Sequence, residues 1–380
     1  MTSPDQAETP LPIPAPPVVL IRDLTEQLVW PRLLRTPAAA LWPSRLVLGI
    51  LAALLIGVVG GLSRLWSNAP SFGEAVTQGQ AEAWGRVLAA ALALSPTGVG
   101  AGVRAAQIDQ PADLLGRYPV STPVLGAAML VVLGAFGGAI ARSVGVERAT
   151  RRRPSAASVL GWSVARLGST APAVAWPLLA VGLLLVVLRG LGWLGFSLGG
   201  VDVVAAALAP VLGLLGIALL ALVLGLGLGG AMVVPARMVE DSDAIDAVQR
   251  ALAYTLARPL RLAVFAGVTI GAGALGLAAM ELVVGGGWSL AMEQAQAWLS
   301  AERRASLAMP EAPLVAAPAG DAGHAASPTI AARVLQFWGA VPSVVVAGYG
   351  ISVFFTGATG VYLAMRRVCD GQDEGEVQGA

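Results

Sequence analysis

The chain alternates long apolar runs with shorter polar connections, and the length of the runs decides the fold class. Six of them, at about 46–62, 120–141, 168–188, 205–234, 262–284 and 335–364, come close to the roughly 20 residues an α-helix needs to cross a hydrocarbon core. Lipid offers no hydrogen bonds to an exposed backbone, so runs of this kind must be helical. The pattern predicts an all-α protein, a polytopic helical membrane bundle of about six transmembrane helices. The fourth and sixth runs are long and are expected to tilt, kink or project beyond the lipid. A shorter run, Trp84–Leu94, carries Arg86 and suits an interfacial or partly buried segment better than a seventh span.

Two finer patterns stand out. Glu240–Pro259 reads as an amphipathic helix between spans four and five: Asp241, Ser242 or Asp243 can cap its start, and Pro259 stops it. Ile245, Val248, Leu252, Thr255 and Leu256 recur at helical spacing, and Asp246 and Arg250 stand four apart as a favourable pair. The face formed by Ile245, Val248, Leu252 and Leu256 either packs on the ends of its own spans or docks a partner. In the sixth run, Tyr349, Ser352, Thr356 and Thr359 share one face, which either makes hydrogen bonds between helices or lines a polar cavity.

Small residues also recur every fourth position, and such ridges let helix backbones approach closely in lipid. They are Gly49, Ala53, Gly57 and Gly61 in the first run, Gly134 and Gly138 in the second, and Ala221, Gly225 and Gly229 in the fourth. In the sixth they are Gly348, Ser352, Thr356 and Gly360.

Composition agrees with a membrane solvent, with 56% hydrophobic and only 12% charged residues and a mean hydropathy of +0.74. A soluble domain carries about 25% charged residues. Charge placement then supplies an orientation. With the N-terminus inside, the cytoplasmic flanks collect Arg22, Arg32, Arg35, Arg45, Arg142, Arg148, Arg151, Arg152, Arg153, Arg166, Arg237, Arg250, Arg258, Arg261, Arg366 and Arg367, which is 16 of the 24 arginines. Arg64, directly outside the first span, goes against the rule. The expected layout is a cytoplasmic Pro-rich tail at 1–40, a transmembrane domain at 41–367 and a cytoplasmic acidic tail at 368–380. The start lacks the pattern of a cleaved signal peptide, so the first span is expected to act as an uncleaved anchor. The basic loop Glu147–Pro154 is expected to enforce this topology, with binding of anionic headgroups as the sharper alternative.

Chemical motifs are sparse. The single Cys369 and single His324 exclude an intramolecular disulfide and a paired-histidine metal site. There is no phosphate loop ending in GK[ST], no HExxH, no CxxC and no convincing nucleophile elbow, and no cofactor is expected. The proposed span interiors contain no Asp, Arg or His, and their one acid, Glu281, lies near an outer end, whereas ion-coupled carriers usually keep such groups within the membrane. Three function classes remain: a structural or accessory component of a membrane assembly, a permease or channel-like carrier for a small or lipidic solute, and an enzyme acting on lipid through outer acids such as Glu281, Glu293 and Glu302. The expected partners are the lipid bilayer, then other membrane proteins or a second copy of the chain, and not nucleic acid.

Four stretches carry a resemblance that covers most of the chain: Trp30–Gly49, Gly137–Arg166, Met238–Arg261 and Val361–Val377. Together they are similar to a family of uncharacterised bacterial inner-membrane proteins of about six spans. The most distinctive is Met238–Arg261, in which an acid, an Asp-containing helix, an Arg, a Tyr and an Arg-Pro pair precede a span. This chain departs in having Val239-Glu240-Asp241-Ser242-Asp243 where a Glu-Gly pair is expected before the Asp, and Ala251 where Ser is usual. The resemblance implies the six-span layout and transfers no functional residue.

Overall fold

A computed structural model of the protein describes residues 30–66, 71–197, 206–207, 209–300 and 330–372. His324, Arg303, Arg304, the Pro- and Ala-rich linker around 310–328 and most of both tails lie outside these residues. Among the described residues the fold has helices and no strands, and six helices are long and apolar enough to cross a membrane: Pro43–Leu65, Ser121–Thr150, Leu167–Gly195, Ala209–Glu240, Pro259–Gln296 and Phe337–Asp370. They fall on the six apolar runs, and the chain is a multi-pass membrane protein. Large apolar side chains such as Leu183, Val186, Leu214 and Ile217 are exposed, as helices surrounded by lipid tails require.

In chain order, a 3-10 turn Trp30–Arg35 leads into α1 (Thr36–Ala40), followed by α2 (Pro43–Gly61). Next come α3 (Phe72–Leu92), α4 (Pro96–Arg104) and α5 (Gln110–Arg117), which form a helical cap at the far end of the first span. Trp84–Leu94 begins within α3, which is not one of the six span helices. Ser71 and Glu74 start α3 with a capping box, each side chain bonding the other's backbone N–H. The second span joins α6 (Ser121–Val132) to α7 (Gly138–Thr150) through a π-turn, and α8 (Ala156–Val164) returns to α9 (Leu167–Ser197).

The fourth span is α10 (Ala209–Gly229), a 3-10 turn Gly230–Met232 and α11 (Val233–Glu240). Then follow α12 (Ala244–Ala257), α13 (Pro259–Met280), α14 (Gly286–Gln296) and the long α15 (Ile330–Asp370). Asp243 caps α12, accepting a 2.8 Å bond from the Asp246 amide, and Pro259 opens α13.

Burial identifies the centre. In the most apolar window of each span, 61% of residues are buried in the sixth span and 50% in the second, against 17–28% in the other four, so the second and sixth spans form the axis. Glycines set the contact between α2 and α15: a Cβ on Gly348 would lie 2.5 Å from the Cα of Ile50. Such backbone contact supplies the van der Waals attraction on which helix association in lipid relies. Only part of the first span's small-residue ridge is used this way, since Gly57 and Gly61 face open space. Trp30–Ala40, which the sequence places within the Pro-rich tail at 1–40, is helical and packs against α13 and α15, with Leu33, Thr36 and Ala40 buried.

Gly348→Ala should therefore lower stability by about 1–3 kcal/mol, because the obstructing atoms are backbone and cannot rotate away. Gly57→Ala should leave stability unchanged or raise it by up to about 1 kcal/mol through helix propensity. Thermal melting in mild detergent checks both.

Candidate functional site

The four resembling stretches, Trp30–Gly49, Gly137–Arg166, Met238–Arg261 and the described part of Val361–Val377, meet at one end of the bundle, the end rich in arginine. At its centre is α11, a helix of eight residues buried on every side and packed against α7, α9, α12 and α15. It ends at Asp241, which takes the left-handed conformation at φ 51° that Asp tolerates better than most residues. That turn sends the neighbouring carboxylates Glu240 and Asp241 into two different networks.

Glu240 points inward and is 7% exposed. Tyr362 of α15 donates its phenol proton to it, Arg250 of α12 pairs with it, and Arg366 of α15 lies 3.2 Å away. Arg250 also holds Asp246 at 3.1 Å, one helical turn away on α12. A turn further along, Tyr254 donates to Asp370, joining α12 to the end of α15, and burial followed by this hydrogen bond to Asp370 pushes its phenol pKa up. One carboxylate thus ties three helices together.

Asp241 points outward and accepts two bonds from Arg166, at 2.6 and 2.9 Å, and one from Arg237 at 3.0 Å. Hydrogen bonding to the Arg166 guanidinium, with Arg237 adding to it, holds the Asp241 carboxyl at about 2. Arg237 also donates to the Ser169 hydroxyl at 2.7 Å, and Arg166 stacks over Trp162 at 3.8 Å, so α8, α9 and α11 are clamped together. A third network joins the first two spans. Arg45 of α2 pairs with Glu147 of α7 and bonds the Ser143 hydroxyl, while Arg153 holds Glu147 at 2.9 Å and stacks on Trp42 at 3.6 Å.

The sixth-span face singled out in the sequence is wholly buried and faces α1. Tyr349 donates to the Pro37 carbonyl at 3.1 Å and Ser352 to the Ala40 carbonyl at 2.8 Å, while Arg45 takes the Ala39 carbonyl at 2.9 Å. A helix leaves its last four carbonyls short of internal partners, and these side chains reach three of the four in α1. Thr359 bonds back to Phe355 within its own helix, and the buried Thr356 hydroxyl has no hydrogen-bond partner among the described residues.

On α12, Val248 and Leu252 turn inward while Ile245 and Leu256 are 63% and 74% exposed. The buried arc runs through Ala247, Val248, Ala251, Tyr254 and Thr255, turned by roughly 100°, one residue's step, from the face drawn through the large apolar residues. Close approach explains the rotation: Gly229 of α10 abuts Thr255 and the Ala251 carbonyl, where only small side chains fit.

Between the Glu240 and Asp241 networks lies a polar cavity of about 250 Å³, lined by Ser242, Asp246, Arg250, Arg366 and Gln372 together with the two carboxylates. Its charges of both signs already face one another. Among the described residues no group of three or more His, Cys, Asp or Glu side chains converges as a metal site. Compared with protein-family models, curated proteins and solved structures, the chain has no match.

The Asp241 clamp gives a pH-dependent prediction. The carboxyl falls from its ordinary 3.8 to about 2 in the folded protein, so its contribution is present above the unfolded value and lost as pH drops through the folded one. Asp241→Asn should melt below the unaltered protein by a constant gap above about pH 4, and the gap should narrow towards about pH 2. A gap independent of pH across that window would contradict the clamp.

Proposed function

We propose that this protein is a non-enzymatic structural or accessory component of a bacterial inner-membrane assembly, with both termini and the arginine-rich end in the cytoplasm. The observation that carries the reading is where the polar groups go. Tyr349 and Ser352, half of the four-residue face that a carrier would need for a solute path, are bonded to α1, and Thr359 is bonded within its own helix. The charged groups of the Glu240, Asp241 and Glu147 networks are paired with one another, which builds a rigid platform rather than a reactive centre.

The surface offered to a partner is the outer side of α12. Ile245 and Leu256 project from a helix that Glu240 and Asp370 fix in place through Arg250 and Tyr254. A pre-ordered apolar patch loses little conformational freedom on binding, which favours stable association. The positive-inside bias of the arginines supports the orientation.

Purification of the tagged protein from native membranes in mild detergent, followed by quantitative mass spectrometry, should recover a partner in stoichiometric amount. Ile245→Ser/Leu256→Ser should lose it while retaining the parent melting temperature. A clean, monodisperse chain without a partner would overturn the accessory reading. For orientation, a membrane-impermeant maleimide should leave Cys369 unlabelled in intact cells and label it after permeabilisation; labelling of intact cells would place the C-terminus outside.

A further inference from the structure

On the exposed side of the bundle, a groove of about 580 Å³ runs between the Trp30–Ala40 segment and α13, narrowing at Gly276, where an added Cβ would lie 2.7 Å from the Pro37 Cβ. Leu34 and Pro37 form one wall, and Gly267, Gly271, Ala272 and Gly276 form much of the other, so the surface is almost wholly apolar. Its floor is open, because a Cβ built on Gly267 or Gly271 meets nothing within 4 Å.

The arginine-rich end of the groove has a different character. Arg35 directly follows Leu34, and Arg261 precedes Val268, also on the groove, by seven residues, which sets it about 10 Å lower on the same helical stripe. Both arginines are exposed, as is Arg258 one turn before Arg261. Among the described residues none of the three has a carboxylate partner, unlike Arg45, Arg166, Arg237, Arg250 and Arg366 at the same end.

We propose that this groove binds an anionic phospholipid, with one acyl chain between the Trp30–Ala40 segment and α13 and the phosphate-bearing headgroup on Arg35 and Arg261. An apolar channel leading to uncompensated guanidinium groups matches both halves of such a molecule. A zwitterionic lipid would fill the channel but gain less at its mouth, since guanidinium groups favour a net anionic partner. The bound lipid would brace Trp30–Ala40 against the fifth span.

The test is thermal melting of the full chain in neutral detergent, with phosphatidylglycerol or phosphatidylcholine of the same acyl chains added. Phosphatidylglycerol should raise the melting temperature by a few degrees more than phosphatidylcholine. Gly271→Leu fills the groove without a clash and should abolish the response to either lipid; should it fail to fold, Gly267→Leu enters equally open space. Arg35→Gln/Arg261→Gln should respond equally to both lipids, with the excess shift lost. Equal shifts for the unaltered protein, or a full response in both groove-filled variants, would overturn the proposal. So would light scattering that shows a dimer converted to monomers by Gly271→Leu, because the groove would then hold a second copy of the chain.

Discussion

A carboxylate removed from water needs charged or hydrogen-bonding partners, and at Glu240 three of them arrive from two helices. Tyr362 and Arg366 come from α15, and Arg250 comes from α12, all converging on the last residue of a helix buried on every side. Lipid cannot drive these helices together as water would, because lipid tails are as apolar as the side chains they replace. The arginine-rich end is therefore held by directional contacts, and its geometry is correspondingly specific.

The rest of that end is built outward from this point. Asp241, forced outward by its left-handed turn, brings in Arg166 and Arg237 and through them α8 and α9. Arg45 and Glu147 repeat the device between the first two spans. Toward the bilayer, contact passes to glycines and small hydroxyls: Gly348 against Ile50, and Tyr349 and Ser352 against the carbonyls of α1. Paired charges at one end and close backbone packing along the axis leave the outer faces of α9 and α10 to the lipid.

The six spans were legible because apolar length alone decides whether a helix can cross a membrane, and each apolar run became one span helix. The start of α12 was legible from its capping residues, and the acid, Arg and Tyr of Met238–Arg261 proved to be Glu240, Arg250 and Tyr254 of the charged network. Their partners were not legible. Tyr362 lies 122 residues from Glu240 and Asp370 lies 116 from Tyr254, separations at which periodicity carries no information. The inward face of α12 was misplaced by large apolar residues, since in a glycine-lined contact the small residues sit closest. Trp30–Ala40 was hidden for a related reason: a short segment with two arginines has no hydropathy signal, and it is held by side chains of a span 312 residues away.

A double-mutant cycle on Glu240 and Arg366, read as unfolding free energy in detergent, tests the central role of the Glu240 network most directly. Glu240→Met leaves Arg366 buried without its carboxylate and should cost about 3–5 kcal/mol, whereas Arg366→Met leaves Glu240 with Arg250 and Tyr362 and should cost less. The double variant should be destabilised by less than the sum of the two, with a coupling of about 1–3 kcal/mol. Additive effects would show that the two residues stabilise the fold independently, which would contradict a fold organised around the buried Glu240 carboxylate.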